Sequence, residues 1–158
     1  MRIQVLAPLA ATLALAVAPG APAAADDAVP GHAIVARTAP DALVIWDATA
    51  DVTSIVKDKV SDTDAASRLE RDALRVLAST ADRLKRAKTV TVRVIYNKTG
   101  DVSPVYGSPT FAGVERFANL TVDAADVSGD KDKWRDLSDK APVPAWVAFK
   151  IVGSLPPR

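Results

Sequence analysis

Apolar and polar positions alternate strictly over residues 89–96, TVTVRVIY, with Val90, Val92 and Val94 on one side and Thr91, Arg93 and Ile95 on the other. A period of two predicts a half-buried β-strand, because successive side chains leave opposite faces of the pleat. Just upstream the period changes. Over residues 63–87, Ala66, Leu69, Ala73, Val76, Leu77, Thr80, Leu84 and Ala87 advance mainly by three or four and form one stripe of an amphipathic helix. Ser61, Asp62 and Thr63 offer N-caps, and Asp64 puts an anion in the first turn. Asp82, four residues before Arg86, predicts a surface ion pair on the same helix.

The rest of the chain is read from shorter patterns. AIVA (33–36) and ALVIWD (42–47) are strand-like, and the second is apolar on both faces, which predicts an interior strand. Residues 48–60, ATADVTSIVKDKV, support two assignments: Val52, Ile55, Val56 and Val60 have helical spacing, while the β-branched content suits a strand. We assign them to a strand or irregular segment. NKTGD (97–101) has turn chemistry, and the return segment 102–123 is interrupted by Pro104, Gly107, Pro109 and Gly113. Its regular part is RFANLTVDA (116–124). A short helix over about 129–140 anchors on Trp134 and Leu137, and AWVAFKIVG (145–153) is a closing strand before a proline-bearing tail, 154–158. These elements predict a single α+β domain over 33–153. It is a two-layer sandwich: a mostly antiparallel sheet of four to six strands, packed by the long helix and the shorter one.

The N-terminus adds a destination. Arg2, the apolar run 3–18, a Pro/Gly break and Ala23-x-Ala25 have the layout of a cleaved signal peptide over residues 1–25, followed by a flexible leader, 26–32. The apolar run is shorter than the ~20 residues that span a bilayer. The mature product is expected in the periplasm or outside the cell, with no membrane insertion, and the Ala-rich, Arg/Asp-biased composition is bacterial in character. Residues 1–25 carry one cation and no anion, which leaves 19 Lys+Arg against 19 Asp+Glu. Neutral, interspersed charge offers no footprint for nucleic acid. The one basic run, RLKRAK (83–88), sits where cations complement a helix C-terminus.

Candidate chemistry is sparse. The chain has no cysteine, which excludes disulfides, thiol catalysis and thiolate metal sites. His32 is the single histidine and falls in the leader, so a histidine triad is excluded. Asp47 follows an apolar strand, as a phosphotransfer nucleophile would, but Thr49 stands where a second acid is needed, so Asp47 and Asp51 are read as turn or cap residues. A calcium loop begun at Asp126 places Lys131 at the glycine position and Leu137 at the glutamate position, and that template fails. No serine lies in a Gly-x-Ser-x-Gly elbow. No cofactor, metal ligand or catalytic residue is assigned. Asp101, Glu115 and Asp123 are of the type that serves glycoside hydrolysis, which turns on the distance between two carboxyls.

Recognition is the remaining class. Tyr96 and Tyr106 flank the turn, with Arg93, Lys98 and Asp101 beside them, and rigid aromatics on a proline-restrained loop bind at small ordering cost. The expected function is a non-enzymatic module binding a protein or cell-wall partner through the 96–107 loop and the adjacent sheet edge. A secreted carboxylate-dependent glycan hydrolase, and a structural periplasmic factor without a discrete ligand, are the alternatives.

Overall fold

The computed structural model describes residues 32–98 and 113–157. Residues 1–31, the turn at Gly100 and the candidate residues Asp101 and Tyr106 lie outside the described residues. Five strands form one mixed sheet in the order β1-β2-β3-β4-β5: β1 (Ala33–Arg37), β2 (Asp41–Asp47), β3 (Thr89–Asn97), β4 (Val114–Asp123) and β5 (Ala148–Ile151). Three of the neighbouring pairs are antiparallel, and β2 and β3 are parallel. The parallel pair follows from the chain between them. A parallel return needs a crossover, which is supplied here by α1 (Thr49–Lys57) and α2 (Asp62–Thr80).

The helix α1 corrects the strand-or-irregular reading of residues 48–60. Asp47 starts it: one carboxylate oxygen accepts the Thr49 N–H at 3.0 Å and the Thr49 hydroxyl, bending the chain out of the strand. Val52 and Ile55 then fall on one helical face, both buried, and this burial outweighs β-branched propensity. In α2, Ser61 is the N-cap, its hydroxyl accepting the Asp64 N–H at 3.1 Å. The buried stripe begins at Ala65 rather than Ala66 and runs through Leu69, Ala73, Leu74, Val76, Leu77 and Thr80.

The helix ends earlier than its pattern. Thr80 turns its hydroxyl back onto the Leu77 carbonyl at 2.9 Å, and residues Ala81–Arg83 tighten into a 3-10 turn that still buries Leu84. Asp82 therefore does not meet Arg86 across a helical turn; it takes Lys131 at 2.8 Å. The segment predicted as one helix over 129–140 is regular only in α4 (Lys131–Arg135), and a further short helix, α3 (Ala124–Ser128), leaves the end of β4. The closing strand is likewise shorter than 145–153, because residues before Ala148 form a turn in which the Val147 N–H reaches Pro144 O at 3.0 Å.

Strand alternation separates two faces. Val44 and Trp46 of β2, Val92, Val94 and Tyr96 of β3, and Leu120 and Val122 of β4 are buried in one core with Leu69, Leu74, Leu77, Ile55 and Trp134 from the helices. The other face carries Leu43, Ile45, Thr91, Arg93, Ile95, Asn119 and Thr121, all half-buried. This two-layer α+β arrangement agrees with the expectation from sequence. No described helix is long and apolar enough to cross a membrane.

Candidate functional site

Arg93 and Tyr96 stand three residues apart on β3, and an odd separation in a strand sends side chains to opposite faces. The structure therefore does not bring them together. Tyr96 is 3% exposed, part of the core, and its hydroxyl donates to Ser154 O at 2.8 Å. Burial pushes its phenol above the ordinary 10.0, with Glu115 adding to the rise and Lys98 opposing it. Its ring is a structural tether rather than a contact surface. Lys98, at the exposed end of the hairpin, pairs with Glu115 across it at 2.7 Å, and that bond raises the ammonium above 10.5.

Arg93 lies on the open face. In register it stands between Ile45 of β2 and Asn119 of β4, and Asn119 in turn faces Lys150 of β5. With Ile34 opposite Ile45, one row crosses all five strands. Burial, then neighbouring Arg116, disfavours the Arg93 charge. Arg93 Nε and Asn119 Oδ1 are both buried without a hydrogen-bond partner.

The same end of the sheet gathers features that the sequence reading did not single out. At the end of the β4–β5 ladder, Phe117 O accepts the N–H groups of Val152 at 2.8 Å and Gly153 at 3.0 Å. Because hydrogen-bonded positions alternate along an antiparallel pair, Ala148, Lys150 and Val152 bond inward, while Phe149 and Ile151 turn their N–H and C=O groups outward. No described strand pairs with that outer edge. Along this edge stand the exposed large apolar side chains of the described residues: Ile151 (50% exposed) and Val152 (46%) toward the hairpin end, and Trp146 (36%) at the other end, before Ala148. Ile151 also borders a cleft of about 420 Å³ walled by Phe117, Gly153, Leu155 and Pro156. A Cβ at Gly153 would lie on the carbonyl oxygen of Arg116, so only glycine lets the tail pass this close to β4.

Other chemistry is less well assembled. Asp47 is held by Thr49, whose hydroxyl also accepts the Asn97 N–H at 2.9 Å, and so it joins the ends of β2 and β3 as a turn residue. Glu115 and Asp123 stand at opposite ends of β4, eight residues apart. At about 3.3 Å per residue that is about 26 Å, far beyond the spacing of a glycosidase pair. Asp51 and Asp72 do border one cleft of about 540 Å³, with Arg68, Arg71 and Arg75. Burial, then Asp72, raises the Asp51 carboxyl above 3.8. Among the described residues no three side chains of metal-ligating type cluster.

No local signal in the sequence singles out Trp146, Lys150, Ile151 and Val152. Pro156 and Pro157 show only where the chain stops pairing after this strand; that β5 is an edge follows from the strand order. In comparison with known proteins, no family model, curated protein or solved structure matches the chain.

Proposed function

We propose that this chain is an exported, non-enzymatic module that binds a protein or cell-envelope partner at the hairpin end of its sheet and along the β5 edge. The observation that carries the reading is the outward-facing backbone of Phe149 and Ile151, set among the exposed side chains of Trp146, Ile151 and Val152. An unpaired edge with apolar flanks is a template for another chain. Asn97 and Val114, the last pair of the β3–β4 ladder, and Ile151, opposite Ala118, lie toward this same end of the sheet. The signal-peptide pattern of residues 1–25 supports delivery to the periplasm or beyond the cell.

The test is a photo-reactive amino acid placed at position 151 of the full chain in its native envelope, with position 71 on α2 as the control. Capture of one discrete partner from position 151 and none from position 71 is the expected outcome. Equal labelling from both positions overturns the reading.

A second reading, a glycan hydrolase, is favoured by the Asp51–Asp72 cleft alone. It requires that the purified protein turn over a glycan and that Asp51→Asn lower the rate by about 100-fold or more.

A further inference from the structure

On the premise that β5 is a binding edge, we infer that its occupant is an extended segment of a partner protein that adds as a sixth strand and alternates acidic with apolar residues. Four observations on this edge define that pattern.

First, the edge offers hydrogen bonds in a fixed geometry. Phe149 and Ile151 present two N–H and two C=O groups outward, and an extended backbone satisfies all four. A helix has no free backbone groups along its length with which to do so.

Second, the two sides of the edge differ. On the helix side Ile151 and Trp146 are exposed and apolar, with Trp146 held edge-on against Trp134, ring centroids 5.5 Å apart. On the open side the next position in the cross-sheet row is Lys150, preceded by Asn119 and Arg93, with Arg116 one step nearer the hairpin. Successive residues of an added strand point alternately to these two sides. One set meets Ile151 and Trp146, and the other meets Lys150 and, one step nearer the hairpin, the exposed Val152.

Third, the open side is cationic where the strand would lie. Arg93, Arg116 and Lys150 form no ion pair among the described residues, and the one acid on that side of β4, Asp123, sits at the opposite end of the strand. A carboxylate opposite Lys150 therefore meets a cation with no competing partner among the described residues, in the kind of directly opposed pair where opposite charges stabilise and like charges destabilise.

Fourth, the same lysine disfavours a second copy of this chain. Antiparallel self-pairing that bonds Phe149 to Ile151 of another copy, and the reverse, sets Lys150 directly against its own counterpart in the closely spaced position. A lysine in the middle of an edge is a common device against self-association. It leaves the edge open to a chain of opposite charge.

The experiment uses the mature full-length chain and three synthetic heptapeptides: alternating Glu and Val, alternating Lys and Val, and the Glu/Val peptide with proline at its centre. Binding is read by amide exchange and chemical shifts at Phe149 and Ile151, and by the emission of the chain's tryptophans. The expected result is that the Glu/Val peptide binds at least 10-fold more tightly than the other two and slows exchange at Phe149 and Ile151. Lys150→Glu, at an exposed position, should reverse the preference in favour of the Lys/Val peptide, and added salt should weaken both. Equal binding of the Glu and Lys peptides, tight binding of the proline peptide, or a dimer by sedimentation with the β5 amides protected would each overturn the inference. If position 151 captures a discrete partner whose contacting segment is helical or basic, this inference fails and the binding reading stands. If position 151 captures nothing, the reading itself fails.

Discussion

The environment of Asp51 works against its ionisation, through burial first and then the nearby charge of Asp72, with Arg68 opposing. Its folded pKa lies above the ordinary 3.8, so the native state holds this proton more tightly than the unfolded chain does. The stability tied to this group is therefore full at low pH and is lost as pH rises through the folded pKa. Asp82 and Asp139 run the other way. Bonds from Lys131 and Arg75 lower them, so their contribution is present above 3.8 and is lost on acidification. Asp51→Asn is expected to stabilise the protein most at neutral pH, with the gain shrinking towards about pH 4. Thermal melts of both chains at a series of pH values check this, and a gain that grew on acidification would contradict it. Two glycines make a second, paired prediction. Gly153→Ala forces a Cβ onto Arg116 O and should cost about 1–3 kcal/mol. Gly129→Ala meets nothing within 4 Å at a right-handed φ of −68° and should be neutral or stabilise by up to about 1 kcal/mol. Urea unfolding of the two variants separates the effects.

At the scale of elements, what the sequence made legible is what local periodicity controls. The alternation in TVTVRVIY sets Val90, Val92 and Val94 apart from Thr91, Arg93 and Ile95, as β3 does, and its continuation puts Tyr96 in the core rather than on the binding surface expected of it. The same alternation already separates Arg93 from Tyr96, since residues three apart in a strand cannot share a face. Helix α1 was not legible by propensity because Val52, Thr53, Ile55 and Val56 are β-branched. The deciding groups are Asp47, which starts the helix, and the core that receives Ile55. The early end of α2 is a tertiary effect too: the apolar stripe runs on to Leu84 and Ala87, while Thr80 and the 3-10 turn redirect the chain toward β3. The start of α2 is local, and its energetics follow from one hydroxyl. Ser61→Ala removes the acceptor for the Asp64 N–H and should cost about 1 kcal/mol. Replacing Leu69, which is fully buried on the same helix, by alanine should cost about 2–5 kcal/mol. A Ser61→Ala loss equal to the Leu69→Ala loss in the same denaturation assay would mean that the cap does more than close one helix end.

The candidate surface is a property of the whole molecule, because an edge exists only once strand order is set. Nothing local in AWVAFKIVG distinguishes an edge strand from an interior one, since Val147, Phe149 and Ile151 read as any apolar alternation. The order β1-β2-β3-β4-β5 makes the difference, leaving β5 bonded on one side only among the described strands. Hydrogen exchange on the isolated protein tests this directly. Val92 and Val94 lie at the centre of the sheet, between β2 and β4, and their amides should exchange only through global unfolding. In β5, parity sets the outcome. The Ala148 and Lys150 amides bond to β4 and should be slowed, whereas those of Phe149 and Ile151 face outward and should exchange close to the rate of an unstructured peptide. Slow exchange at Phe149 and Ile151 in the absence of any partner would mean that the edge is already covered, and the binding surface would have to be sought elsewhere on the molecule.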